Sequence, residues 1–256
     1  MSTQLLPARR FPDCPECPYL MTGPASLCLP CARPRLLPPG PSACPVCSQS
    51  LGALGHCPNE LCRSPRRQIA RIQAIGYQTG PLRQAIYSYK YRGIRCWSLV
   101  FGRLLLAWLD EAMAGDRPDL IVVNPSFVGP GGQSFAHTEA VLDAAAAAAA
   151  ERADDLPHWP FDTAEGRAVV KTAATPRSAD AEAWSKRAAA TELRGALRVP
   201  EPLRTEGRFV LVYDDICTTG GQLDAVAACL LDEGGAARVE GIVLARAPWR
   251  GPARVA

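Results

Sequence analysis

The sequence predicts an α/β protein built on a parallel sheet, preceded by a small cysteine-rich domain. Three observations carry this. Phe209–Tyr213 reads FVLVY, a helical pattern follows from Gly221 to Glu233, and Val239–Ala245 is again apolar. Strand, helix and strand in that order make a right-handed parallel unit. Eight of the eleven cysteines lie between Cys14 and Cys62, and 13 of the 24 prolines fall in the first 65 residues. That break in composition puts a boundary at residues 65–70, separating a head, 1–67, from a body, 68–256.

At 256 residues the chain has room for one medium domain and one small one. Its 48% hydrophobic and 21% charged residues exclude wholesale disorder, and a net charge of +3 is too mild to imply polyanion binding by itself. No apolar run reaches the roughly 18 residues a membrane helix needs; the best stretch, Trp97–Leu109, is interrupted by Arg103. Met1–Arg10 is followed by no apolar core, so it does not read as a secretory signal, and a reducing, cytoplasmic setting is expected.

In such a setting the cysteines call for metal rather than disulfides. They come as Cys14-x2-Cys17, Cys28-x2-Cys31, Cys44-x2-Cys47 and Cys57-x4-Cys62. A C-x2-C turn aims two thiolates at one ion, and two turns complete a tetrahedral zinc site. The spacing suits two consecutive zinc ribbons, the first four cysteines on one ion and the last four on another; an interleaved pairing fits as well, and His56 is a possible substitute ligand. With few large apolar residues, the head would draw its folding energy from the metal.

Along the body, Arg71–Tyr77 reads as a strand and Gly80-Pro81 as the turn into a helix. From Cys62 to Leu109 there are nine Arg or Lys and no acid, interleaved with Tyr77, Tyr87, Tyr89, Tyr91, Trp97 and Phe101. Such interleaving suits single-stranded nucleic acid; the alternative is that the aromatics fill the core while Arg83, Lys90, Arg92 and Arg95 are solvated or hold a small anion. Leu120–Val123 reads as a buried strand leading into Asn124-Pro125-Ser126 and a glycine-rich turn, Gly129–Gly132. Ser134–Asp154 reads as helix, with an alanine run that carries no functional signal, and residues 166–200 as a mobile hood.

The chemistry concentrates in Phe209–Gln222, FVLVYDDICTTGGQ. Asp214 and Asp215 stand at the carboxyl end of a buried strand, where ligands bind in open parallel sheets. Thr218, Thr219, Gly220 and Gly221 lead into a helix amino terminus, so free N–H groups, hydroxyls and the helix dipole make a phosphate cradle. Glycine suits a backbone that approaches phosphate closely or takes a positive φ. The loop lacks the Gly-Lys-Ser/Thr of a Walker A motif. Paired acids before a phosphate loop suit a sugar phosphate, with the acids on vicinal hydroxyls; a plain strand end and helix cap is the alternative.

This segment resembles the ribosyl-5-phosphate motif of type I phosphoribosyltransferases. The whole chain resembles their ComF (competence-protein) branch, with its cysteine-rich head, through Gly80-Pro81-Leu82-Arg83, Lys90-Tyr91-Arg92-Gly93 and Arg194-Gly195-Ala196-Leu197. The resemblance implies a type I phosphoribosyltransferase fold behind a double zinc ribbon. It implies a magnesium-dependent transfer of ribose 5-phosphate from phosphoribosyl pyrophosphate (PRPP) to a small-molecule acceptor, with pyrophosphate released. Asp214 and Asp215 would be the catalytic pair; Cys217, Thr218, Thr219, Gly220, Gly221 and Gln222 would hold the 5′-phosphate. Asn124, Pro125 and Ser126 would form the pyrophosphate side. Where the branch carries an arginine-bearing segment this chain reads Gly131–Ala136 without arginine, and Lys171, Arg177, Lys186, Arg187 and Arg194 are the cations available instead. The rival expectation is a non-catalytic PRPP pocket in a protein that binds single-stranded nucleic acid. Trp249 is a candidate for base stacking or for covering the sheet edge.

Overall fold

The computed structural model of the chain describes residues 36–52, 54–128, 130, 135–152, 157–163, 166–175 and 183–249, side chains at 183–187 excepted. Cys14, Cys17, Cys28, Cys31 and most of the Gly129–Gly132 turn lie outside them.

The described elements, in chain order, are α1 (Glu60–Arg63), β1 (Ile72–Tyr77), α2 (Gly80–Tyr91), α3 (Trp97–Ala112), β2 (Leu120–Val123) and α4 (His137–Ala150). They continue with β3 (Val170–Lys171), α5 (Ala183–Ala196), β4 (Leu197–Arg198), β5 (Phe209–Cys217), α6 (Gly221–Asp232) and β6 (Arg238–Arg246). The main sheet has four parallel strands in the order β1-β6-β5-β2. This is the α/β architecture the sequence predicts, with a four-cysteine cluster from the chain that precedes the sheet.

Alternation along β5 explains why both faces of the sheet are covered. Leu211 and Tyr213 point into a core shared with Leu104, Leu105, Val141 and Leu142 of α3 and α4. Val210 and Val212 point the other way, toward Leu193 of α5 and Leu223, Val226 and Leu230 of α6. A strand apolar on both faces cannot survive with either exposed, since each fully buried Val or Leu contributes about 1.5–3 kcal/mol. One edge of the sheet runs short of β5: β2 pairs with it only up to Val123–Tyr213. Beyond that point the chain leaves the sheet at Asn124, opening a crevice beside Asp214 and Asp215.

Two sequence expectations change. The segment 166–200 was expected as a hood apart from the core. Instead β3 pairs antiparallel with β4, and Ala168, Val169, Leu193 and Leu197 are buried in the second core. The alanine run has a packing role. A Cβ at Gly102 of α3 would lie 2.7 Å from the Ala145 backbone nitrogen and 2.9 Å from the Ala144 methyl, so only small residues allow these helices to approach so closely.

The described part of the head packs on β1. Val46 accepts from the Ile72 N–H at 2.6 Å, and Leu37 from the Tyr77 N–H at 3.1 Å, covering the open edge of that strand. Among the described residues no helix is long and apolar enough to cross a membrane.

Gly102→Ala tests the close packing. Helix propensity alone would raise stability by about 1 kcal/mol. The steric conflict with α4 should instead lower it by about 1–3 kcal/mol, seen as a lower urea midpoint.

Candidate functional site

The site begins with two carboxylates inside a strand. Hydrogen bonding carries β5 to Cys217, so Asp214 and Asp215 are strand residues, each less than a tenth exposed. Asn124 is held where β2 ends by its own N–H, which donates to Tyr213 O at 2.8 Å. Its amide Nδ2 then donates to Asp214 Oδ2 at 3.0 Å, and the Asp215 N–H donates to Asp214 Oδ1 at 2.8 Å. Burial, and next the neighbouring Asp215, push the Asp214 carboxyl up to about 7. Asp215 receives the ammonium of Lys90 at 2.6 Å. Burial works against the charge on Lys90, but Asp215, with Asp214 and Tyr91, offsets it and the lysine pKa is raised.

Lys90 comes from the basic and aromatic stretch, which divides in two. Tyr89 is buried against Phe101, Phe135 and His137, and its hydroxyl donates to His137 O at 2.8 Å. Tyr87 and Tyr91 face outward, 51% and 64% exposed, their rings 5.2 Å apart with Arg92 over Tyr87. Arg83, Arg92 and Arg95 are exposed, Arg95 lying over Phe135. One lysine therefore enters the crevice while its helical neighbours present aromatic rings and arginines to solvent.

The turn after β5 has one face tied back and the other open. Arg246 is fully buried; its Nη1 donates to Cys217 O at 2.7 Å and also to Thr218 O. The Ala247 N–H adds a bond to Cys217 O at 2.9 Å, and Asn59 Nδ2 donates to Thr219 O at 2.9 Å. Three successive carbonyls are thus drawn to one side. Among the described residues the N–H groups of Thr218, Thr219 and Gly220 meet no acceptor in the protein. A turn with its carbonyls behind and its N–H groups in front, running into α6, has the arrangement of backbone that anion nests use.

Gly220 completes this turn at φ +84°, in the left-handed region. Its role differs in one respect from the sequence expectation. A Cβ there would lie 2.9 Å from Leu61 Cδ2 and 2.7 Å from Ile72 Cδ1, so a side chain would strike the head and β1 behind the turn. The Cys217 side chain also lies behind, buried in the second core, and burial pushes its thiol up to about 12. A thiol so held is protonated near neutrality and is no nucleophile.

Lys90, Asn124, Pro125, Ser126, His137, Thr138, Lys171, Asp214, Asp215 and Gln222 line one cavity. The Ser126 N–H donates to Glu139 Oε1 at 2.6 Å, and the single Thr138 hydroxyl proton has Asn124 O and Glu139 Oε2 both within reach. Glu139, a residue the sequence reading did not single out, thereby occupies an amide on the proposed pyrophosphate side. Lys171, half-buried on β3, is held below the usual lysine range by burial. His137 is held low by burial, with Lys90 beside it. Arg194 instead pairs with Asp232 on the surface, so among the described cations of the 166–200 segment Lys171 is the one that lines the cavity. Arg177 and the side chains of Lys186 and Arg187 lie outside the described residues. Trp249 is half exposed, and its N–H donates to Gln49 Oε1.

Behind the turn stand Cys44, Cys47, Cys57 and Cys62, their sulfurs all within 4.8 Å of one another. Cys44 and Cys62 sulfurs are 3.8 Å apart, Cys47 and Cys57 sulfurs 3.7 Å. Four sulfurs at about 2.3 Å from a tetrahedral zinc lie about 3.8 Å from each other, so this quartet fits a closed four-thiolate site. A bond from Cys62, followed by the charge of Arg246, lowers the Cys47 thiol to about 4 despite burial; the same bond raises Cys62, and burial raises Cys57 to about 11. His56 is exposed and outside the cluster.

No family model matches this chain, and no curated protein matches it.

The Asp214 shift sets a pH dependence. Between about pH 4 and pH 7 the folded protein holds a proton on Asp214 that the unfolded chain has lost, so this group costs stability as pH rises through that window. Asp214→Asn should remove the loss. Thermal denaturation should show a variant with higher Tm than wild type near pH 7.5 and little difference near pH 4.5.

Proposed function

We propose that the chain is a phosphoribosyltransferase that uses PRPP and magnesium to transfer a ribose 5-phosphate group to a small-molecule acceptor, releasing pyrophosphate. The observation that carries this reading is the anion nest at Thr218–Gly221 placed directly after two buried carboxylates. A 5′-phosphate on the nest puts the ribose hydroxyls within reach of Asp214 and Asp215, which accept their hydrogen bonds. Carboxylates there also favour the positive charge that develops on the sugar as the bond from its anomeric carbon to pyrophosphate oxygen breaks. Lys90 would have to share Asp215 with the ribose or move to the ligand's phosphates. Among the described residues the cavity lining offers two acids and no further carboxylate, so magnesium would be held mainly by ligand oxygens, where it neutralises the departing pyrophosphate.

The head in this reading is a type I phosphoribosyltransferase's structural double zinc ribbon, its second ion on Cys14, Cys17, Cys28 and Cys31. A reducing cytoplasm keeps such thiolates available. PRPP with magnesium should raise the Tm, because a ligand of the folded state stabilises by mass action. Asp214→Asn and Asp215→Asn should each weaken binding by about 1.5–3 kcal/mol and lower pyrophosphate release with a suitable acceptor further still. Zinc-loaded protein that gives no shift with PRPP, ribose 5-phosphate or a nucleoside monophosphate contradicts the pocket.

A second reading is a non-catalytic pocket in a protein that binds single-stranded nucleic acid. Two observations favour it: the exposed Tyr87–Tyr91 pair with Arg92, and the Glu139 carboxylate on the Ser126 amide. Binding of an oligonucleotide should then fall steeply with salt and be lost in Tyr87→Ala/Tyr91→Ala/Arg92→Ala with PRPP affinity unchanged. Binding indifferent to salt and to these changes removes this reading.

A further inference from the structure

The four-cysteine centre and the anion nest share a wall. Arg246 ends β6 opposite Cys217 in the sheet register, and its guanidinium lies between the two features. Nη1 holds the carbonyls of Cys217 and Thr218, while Nη2 is 3.7 Å from the sulfur of Cys47. Only a planar fork spans two carbonyls and a thiolate at once. A second link runs through Asn59. Its Oδ1 accepts from the Leu61 N–H at the start of α1, the short helix that carries Cys62, while its Nδ2 holds Thr219 O. A third is apolar, because a Cβ at Gly220 would strike the Leu61 methyl. Gln49, two residues beyond Cys47, adds a bond from Nε2 to Ala247 O at 3.1 Å, and the Ala247 N–H holds Cys217 O.

We propose that the four-cysteine centre sets the geometry of the nest, with Arg246 and Asn59 as positioning residues, so that the loaded centre is required for anion binding at Thr218–Gly221. With a metal ion the four sulfurs keep their tetrahedral spacing, and Cys47 offers Arg246 a fixed, charged acceptor. Groups outside a metal's ligand shell usually orient the ligands; here the ligand also orients the group outside, and through it the carbonyls of Cys217 and Thr218, while Asn59 holds that of Thr219. Without the ion the sulfurs lose that spacing, Arg246 is left buried without its fixed partner, and the carbonyls of 217–219 are released. The N–H groups in front then no longer converge. Coupling of this kind is reciprocal, so a phosphate ligand must also strengthen the hold on the metal. The dependence of ligand binding on the metal rests on reading the turn as a phosphate site; the mechanical link does not.

The test uses the full zinc-loaded chain and has two arms. In the first, hydrogen exchange is followed in peptides covering 217–222 and 209–214 before and after chelation. Faster exchange in the turn with β5 unchanged is expected; unchanged exchange in the turn, or an equal rise in both, overturns the link. In the second, Asn59→Asp keeps the acceptor that caps α1 but loses the donor to Thr219 O. It should keep its zinc yet bind ribose 5-phosphate about tenfold more weakly, the worth of one hydrogen bond, and Arg246→Lys should do the same. Saturating ribose 5-phosphate should slow zinc transfer to a chromophoric chelator in wild type and not in Asn59→Asp. Both variants binding like wild type, or zinc release indifferent to the sugar phosphate, overturns the proposal. Wild-type protein that binds no ribose 5-phosphate sinks the pocket reading alone, and the exchange arm still judges the link.

Discussion

Arg246 brings a full charge to a place with no solvent, and its partners are peptide carbonyls and a cysteine sulfur. A buried guanidinium is tolerated only where most of its donors find acceptors, so its presence dictates what surrounds it. The acceptors are supplied by two segments far apart in sequence, one carrying Cys47 and one carrying the turn after β5. Because the carbonyls of that turn must face the arginine, its N–H groups must face away. Head, sheet and turn are thereby fastened at one point, and the open side of the turn is the consequence.

The carboxylate pair imposes a second constraint on the same strand end. Two acids buried side by side cannot both ionise freely, and the protein answers with Lys90 on one and Asn124 on the other. These two partners are unequal. A lysine brings a charge, and an amide brings only a dipole, which leaves Asp214 as the group whose charge is costly. Such an arrangement lowers stability in the free protein and is relieved by a ligand that offers hydroxyl donors. Sites built for ligands often retain strain of this kind.

The sheet was legible because its strands are apolar on both faces, which makes short runs such as Leu120–Val123 and Phe209–Tyr213 visible without any tertiary information. The acid pair and the turn were legible for a similar reason, since carboxylates, threonines and glycines fall in one contiguous stretch. What sequence could not supply was everything that reaches that stretch from elsewhere. Lys90 stands among basic residues that face solvent, and only the turn of α2 sends it inward. Glu139 reads as an ordinary first-turn acid of a helix. Arg246 follows an apolar strand and looks like its solvated end, yet it is fully buried. The 166–200 segment misled because its apolar residues are too sparse to form a run, while β3 and β4 need only two residues each to join the core. The alanine run seemed empty of meaning because its meaning lies in the glycine opposite.

The account turns on whether the amides of Thr218, Thr219 and Gly220 converge on a phosphate. Amide proton and nitrogen shifts of the zinc-loaded chain, followed as ribose 5-phosphate or ribose is added, address this most directly. The account predicts large downfield shifts at these three residues with ribose 5-phosphate and none with ribose. Shifts at these amides that are absent, or that ribose produces equally, would contradict it.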